Sequence, residues 1–210
     1  MSKSLEKKFW IALVVFGLMG QIAWVVENMY LNVFIYKMFN ASARDISIMV
    51  GASSIAATVT TILIGALSDK VGKRKIFISL GYIMWGISII SFSFVRMDIL
   101  TPILGNVSGA ATLGITLVII LDCIMTFFGS SANDAAFNAW LTDYGNEGNR
   151  GSIEGINSMM PLLAVLIVFG GFMTLNLDLQ SSWNKIFLVI GIIVIFIGLL
   201  GIILIEDKKS

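Results

Sequence analysis

The sequence predicts an all-α integral membrane protein with six transmembrane helices and both termini in the cytoplasm. Three observations carry this. Of 210 residues, 57% are apolar and only 13% are charged, and the mean hydropathy is +0.92, outside the range of ordinary soluble domains. Long uncharged runs recur: residues 46–64 and 76–95 hold no Asp, Glu, Lys or Arg, and between them lies the charged turn GALSDKVGKRK, residues 65–75. A helix needs roughly 20 mostly apolar residues to cross about 30 Å of hydrocarbon. Lipid forces such runs to be helical, because it offers no partner to an unpaired backbone amide. Finally, threading six spans puts Lys3, Lys7, Lys8, Lys70, Lys73, Arg74, Lys75, Arg150, Lys208 and Lys209 on one face, with Lys37, Arg44, Arg96 and Lys185 on the other. That bias sets the first face inside.

The elements follow in order. MSKSLEKKF is basic and then apolar, but the apolar part runs on far beyond a signal peptide's core, so it reads as a retained first span. The first helix covers about 9–36, long enough to tilt. A polar connection leads to the second, about 46–67, whose Ser, Thr and Ala content permits close helix contact. The third covers about 76–95, and residues 96–109 read as a loop containing Pro102. The fourth, about 111–141, is the most polar span, and TDYGNEGNRG forms the next turn. The fifth covers about 153–175 with Pro161 as a candidate kink, and the sixth about 184–205. Together they make one six-helix bundle over residues 1–210.

Several function classes are excluded. The chain has no histidine and one cysteine, Cys123, which removes histidine-based triads, zinc sites and an intramolecular disulfide. A net charge of +1 gives no footprint for nucleic acid. No phosphate-binding glycine loop appears, and nothing calls for a cofactor. Asp122 and Asp134 cannot form an aspartyl protease dyad, because they share one helix and are separated by about 18 Å along it. The chain reads as a non-enzyme.

Candidate functional residues are the polar ones inside apolar spans. Glu27 is the sharpest: a carboxylate within the bilayer faces a bundle interior or water path, unless it sits at the headgroups. Gln21, Asn28 and Asn32 share its helix, the last two as an i,i+4 pair that serves solute binding or helix contact. On the fourth helix, Asp134 and Asn138 are one turn apart and are expected to face the same volume. A carboxylate and an amide there suit a hydroxyl-rich solute; the competing reading is helix capping. Asp122 lies nearer the other end, as a coupling residue or an inter-helix hydrogen-bond partner. Trp24 is a candidate to stack on a sugar ring or anchor at the interface. Trp140 could also stack on a sugar ring, but it lies where an interface anchor is expected, while Trp10, Trp85 and Trp183 are anchors or packing residues.

Gly65, Asp69, Lys70, Gly72, Lys73 and Arg74 fill in order the pattern Gly-x-x-x-Asp-(Arg/Lys)-x-Gly-(Arg/Lys)-(Arg/Lys). This turn resembles the loop between the second and third helices of the major facilitator superfamily. NDAAFNAWLTDYGNEGNRG, residues 133–151, is similar to the glycoside-pentoside-hexuronide, melibiose permease-like branch, where a fourth-helix aspartate followed three residues on by phenylalanine helps bind sugar. Asp134 and Phe137 occupy those positions, and Arg150 resembles that branch's basic loop residue. The resemblance implies half of a twelve-helix fold and secondary active or facilitated transport of a small sugar or sugar-like solute across the cell membrane. It also implies a gate built on Gly65, Asp69, Gly72, Lys73, Arg74 and Arg150. A carboxy-terminal six-helix half would complete it, in the full-length chain or as a separate or identical subunit. The chain departs from the branch on the second helix, where Ala57 and Thr61 stand in place of cation-binding acids. The branch's first-helix acid falls near Gln21, with Glu27 almost two turns later. A coupling ion, H+ or Na+, would then depend on Glu27. The alternative is a non-transporting membrane interaction or assembly protein, or an inactive transporter fragment, in which the polar residues only join helices.

Overall fold

The computed structural model describes residues 3–207. Lys208 and Lys209, counted above on the basic face, lie outside the described residues, as does the side chain of Lys3. Among the described residues there is no strand, and six helices are long and apolar enough to cross a membrane: Glu6–Phe39, Ala43–Val71, Arg74–Phe94, Val107–Tyr144, Arg150–Phe172 and Gln180–Leu204.

Local chemistry explains where they start and stop. The first helix ends at Asn40, which takes a left-handed conformation (φ 54°) and returns its amide to the Ile35 carbonyl, the usual way a helix end satisfies a loose carbonyl. The second starts at Ala43, earlier than the hydropathy suggests, because Ser42 and Asp45 form a reciprocal capping box. It ends at Gly72, where φ is +66° and the amide bonds Ser68 O at 2.9 Å. That conformation is easy for glycine and strained for other residues. The stretch read as a loop instead contains a short helix, Met97–Leu104, with Pro102 inside and Gly105 (φ +69°) closing it. Asn106 then caps the fourth helix by accepting from Gly109 N at 2.5 Å.

Two spans are not regular throughout. The first contains a π-helical turn at Val26–Leu31, and the fourth a longer one at Ser130–Phe137. Such insertions widen the turn and shift every side chain beyond them around the axis, often at functional sites.

The third and sixth helices pack most intimately, on small residues. A Cβ at Gly86 would lie 2.5 Å from Gly191 O, and one at Gly198 would lie 2.8 Å from Ile83 N. Backbones approach this closely in lipid because association there depends on packing more than on burying apolar surface from water. Aromatic rings fill the centre: Phe16, Tyr82, Trp85, Phe137 and Trp140 are all at most 1% exposed. Trp140 is therefore not an interface anchor. Its ring stacks on Phe137 and its Nε1 donates to Glu206 O at 2.9 Å. Trp85 and Trp183 are likewise core residues, which settles them as packing.

The first and last described segments reach the same end of the bundle, where Lys8 pairs with Glu206 at 2.8 Å and Lys75 N bonds Asp207 Oδ1 at 2.9 Å. Lys37 and Asp178 pair at the other end. The second and fifth helices are the least covered, with 11% and 17% of their apolar windows buried against 56% for the first and third.

Candidate functional site

A polar cavity of about 390 Å³ opens between the first, second and fourth helices. The first contributes Gln21, Trp24, Glu27 and Asn28, the second Ser53, Ser54 and Ala57, and the fourth Thr126 and Asp134. Both π-helical turns border it, at Glu27 and Asn28 on one side and Asp134 on the other.

Glu27 faces the bundle interior rather than the headgroups. It is 6% exposed, and the Thr126 hydroxyl donates to its Oε1 at 2.7 Å. Asp134 is half-buried and accepts from Ser130 Oγ at 3.0 Å. Trp24 lies tilted against Trp85 with ring centroids 4.9 Å apart, its Nε1 directed at Asn133 Oδ1, 3.4 Å away. Asn28 is exposed to the cavity and donates to Trp24 O at 2.9 Å. Behind the wall, Asn133 Nδ2 donates to Tyr82 Oη at 2.8 Å, and Tyr82 donates to Phe16 O at 2.7 Å. This buried relay fixes the face of the fourth helix next to Asp134, since a polar chain with every member paired holds one arrangement.

Not all the expected residues converge. Asn32 donates to Asn28 O at 2.7 Å and does not line the cavity. Asp122 is 2% exposed and lies beside Ser53, just behind the lining. Asn138 corrects the expectation that it shares a volume with Asp134. The π-helical segment between them swings it out of register, its amide bonds Asp134 O at 3.1 Å, and it opens on a second cavity of about 430 Å³. That cavity also holds Thr142, Asn146, Glu147, Arg150 and Asn157, at the end of the bundle where Lys8 meets Glu206. Ser53, Ser54, Thr126 and Ser130 are lining or supporting residues that the sequence reading missed. For Thr126 the signal was spacing, since it stands four residues after Asp122 in the α-helical part of the fourth helix and so shares its face.

The charged turn is a pin within the bundle. Arg74 donates from Nη1 to Ser68 Oγ (2.6 Å), from Nη2 to Asp69 (2.5 Å) and from Nε to Asp143 on the fourth helix (3.1 Å). A planar guanidinium can serve all three at once. Gly72 supplies the left-handed turn, a Cβ added at Gly65 would meet nothing within 4 Å, and Lys73 and Arg150 are exposed.

The family model described as Major Facilitator Superfamily matches residues 9–210. The chain belongs to the major facilitator superfamily. Its six helices make half of that fold, and it is a multi-pass membrane protein of a transporter family, whose members move solutes rather than transform them. No curated protein and no solved structure gives a significant match.

Proposed function

We propose that this chain is the amino-terminal half of a secondary transporter that carries a small sugar or sugar-like solute across the cell membrane, in the melibiose permease-like branch. The observation that carries the reading is the 390 Å³ polar cavity set among spans that are otherwise apolar. Polar groups at membrane depth are expensive and tend to mark a solute path. Asp134 accepts hydrogen bonds from hydroxyl groups, Gln21 and Asn28 donate or accept, and Trp24 offers a ring for the apolar face of a sugar. Asn32 and Asn138 stand outside this wall and support it through Asn28 and Asp134. Glu27 carries the coupling ion.

The two sparsely covered helices, the second and fifth, favour a second six-helix unit as partner, with the site lying between the halves as in alternating access. Lys73 and Arg150, exposed at the basic end, then face the cytoplasm and the gate. Reconstitution tests this. Proteoliposomes holding the chain, alone and mixed with a carboxy-terminal six-helix half of a family transporter, are supplied with radiolabelled sugars. The reading expects uptake that Asp134→Asn removes; absence of uptake under every gradient and pairing overturns it in favour of a non-transporting assembly role.

A further inference from the structure

The π-helical turn of the fourth helix carries two consecutive polar residues, Asn133 and Asp134. Asp134 lines the cavity, whereas Asn133 is buried behind it at 4% exposure. Both amide atoms of Asn133 are nonetheless engaged by other helices: Nδ2 donates to Tyr82 Oη of the third at 2.8 Å, and Oδ1 accepts from Trp24 Nε1 of the first at 3.4 Å. Glycines clear the space for this. A Cβ at Gly20 would lie 2.7 Å from Tyr82 Oη, and one at Gly129 would lie 2.7 Å from Trp85 Cε2 and 2.9 Å from Trp24 Cη2. Any larger residue at either place would strike the relay or the rings.

Donors and acceptors leave the relay one direction. Tyr82 gives its proton to Phe16 O at 2.7 Å, so its oxygen has only lone pairs to offer and must meet the amide nitrogen of Asn133. The amide oxygen is then turned to Trp24, whose indole N–H can only donate. Turning the amide over would set N–H against N–H at Trp24 and oxygen against oxygen at Tyr82, both away from water. Trp85 backs the arrangement, 4.9 Å from the Trp24 ring and 5.5 Å from that of Tyr82 between centroids. The indole N–H has a second acceptor within reach, because the Asp134 carboxylate is also a hydrogen-bond partner of the Trp24 side chain. At 3.4 Å the bond to Asn133 is longer than the usual length of about 3 Å, as fits a donor placed between two acceptors.

We propose that Asn133 is a positioning residue for solute recognition, acting through Trp24. It fixes the angle of the indole ring at the cavity wall, and it takes the indole N–H entirely when solute hydroxyl groups occupy Asp134. Asp134 can then accept from the solute while the N–H keeps a partner at membrane depth, where an unpaired donor is expensive. The solute role rests on the transport reading above; the bond between Asn133 and Trp24 does not.

The test is NMR of the five indole N–H groups in the purified 210-residue chain, labelled with ¹⁵N-tryptophan in lipid nanodiscs, with Trp24→Phe assigning the Trp24 signal. Asn133→Leu, which keeps the side-chain shape, should shift that signal and speed its exchange with deuterium. The signals of Trp140 and Trp183, bonded to Glu206 O and Leu177 O, should stay in place and so verify the fold. Tyr82→Phe frees the amide to turn and should shift the Trp24 signal the same way by less. A Trp24 signal that neither variant moves overturns the proposal, as does one that moves only together with Trp140 and Trp183, which marks a merely structural role. Methyl β-galactoside, xylose and glucuronate are then titrated in. A sugar that shifts the wild-type Trp24 signal should bind Asn133→Leu about threefold to tenfold more weakly. Equal affinity overturns the positioning role and keeps the transport reading; no response of the wild type to any of the three overturns the solute role together with that reading and keeps only the bond.

Discussion

Replacing Gly86 by alanine tests the packing that holds the bundle together. The added Cβ would lie 2.5 Å from Gly191 O, 2.6 Å from Ile195 Cγ1 and 2.8 Å from Ile195 N, where ordinary contact begins at 3.4 Å. The shortfall is about 0.9 Å, and two of the three obstacles are backbone atoms that cannot rotate away. The third and sixth helices must therefore separate. On a 6–12 potential a gap of 0.5–1 Å forfeits about a quarter to a half of each pair attraction, and overpacking by one methylene typically costs about 1–3 kcal/mol. Alanine's better helix propensity returns at most about 1 kcal/mol, leaving a net loss of about 1–2 kcal/mol. The control is Gly155→Ala on the fifth helix, where an added Cβ meets nothing within 4 Å. Only the propensity term applies there, so stability should be unchanged or raised by up to about 1 kcal/mol. Reversible unfolding in mixed micelles with increasing SDS, followed by circular dichroism, reads both. If the two variants unfold at the same SDS fraction, the close approach of the third and sixth helices is not what stabilises the fold.

Arg74→Ala should cost about 2 kcal/mol in the same assay, because it strips a charged donor from Ser68 and Asp143. Asp69→Ala should cost under about 1 kcal/mol, since the Asp69 side chain is 65% exposed. Ser42→Ala removes the capping oxygen of the second helix and should lower stability by about 1 kcal/mol, with hydrogen exchange rising in the first turn after residue 42 and little elsewhere.

Much of the fold was legible in the sequence, because lipid leaves a long apolar run few options. Runs of uncharged residues located the spans, and the motif from Gly65 to Arg74 located a turn. What escaped was local geometry that hydropathy does not encode. The capping box of Ser42 and Asp45 looked like polar loop, and the helix at Met97–Leu104 was hidden by Pro102. The larger miss was phase. An i,i+4 argument places Asp134 and Asn138 together only while the helix is α-helical, and the π-helical segment Ser130–Phe137 breaks that condition. Hydropathy cannot distinguish a tryptophan at the interface from one buried beneath a chain end, and Trp140 proved to be the latter. Among the site residues the acids stood out, since a carboxylate in an apolar run is conspicuous. The serines and threonines beside them did not, because hydroxyl groups in such runs usually bond their own helix, as Ser54 and Thr58 do here.

The central claim is that water and solute reach a polar cavity between the first, second and fourth helices. Cysteine accessibility measures this directly. In a Cys123→Ser background, single cysteines are placed at Ser54, which lines the cavity, and at the adjacent Ile55, which is 68% exposed on the apolar surface. Both are treated in membranes with a water-soluble maleimide. The account predicts that Ser54→Cys is modified, that Ile55→Cys is not, and that a transported sugar slows modification at position 54. Equal behaviour at the two positions, with no effect of sugar, would contradict it.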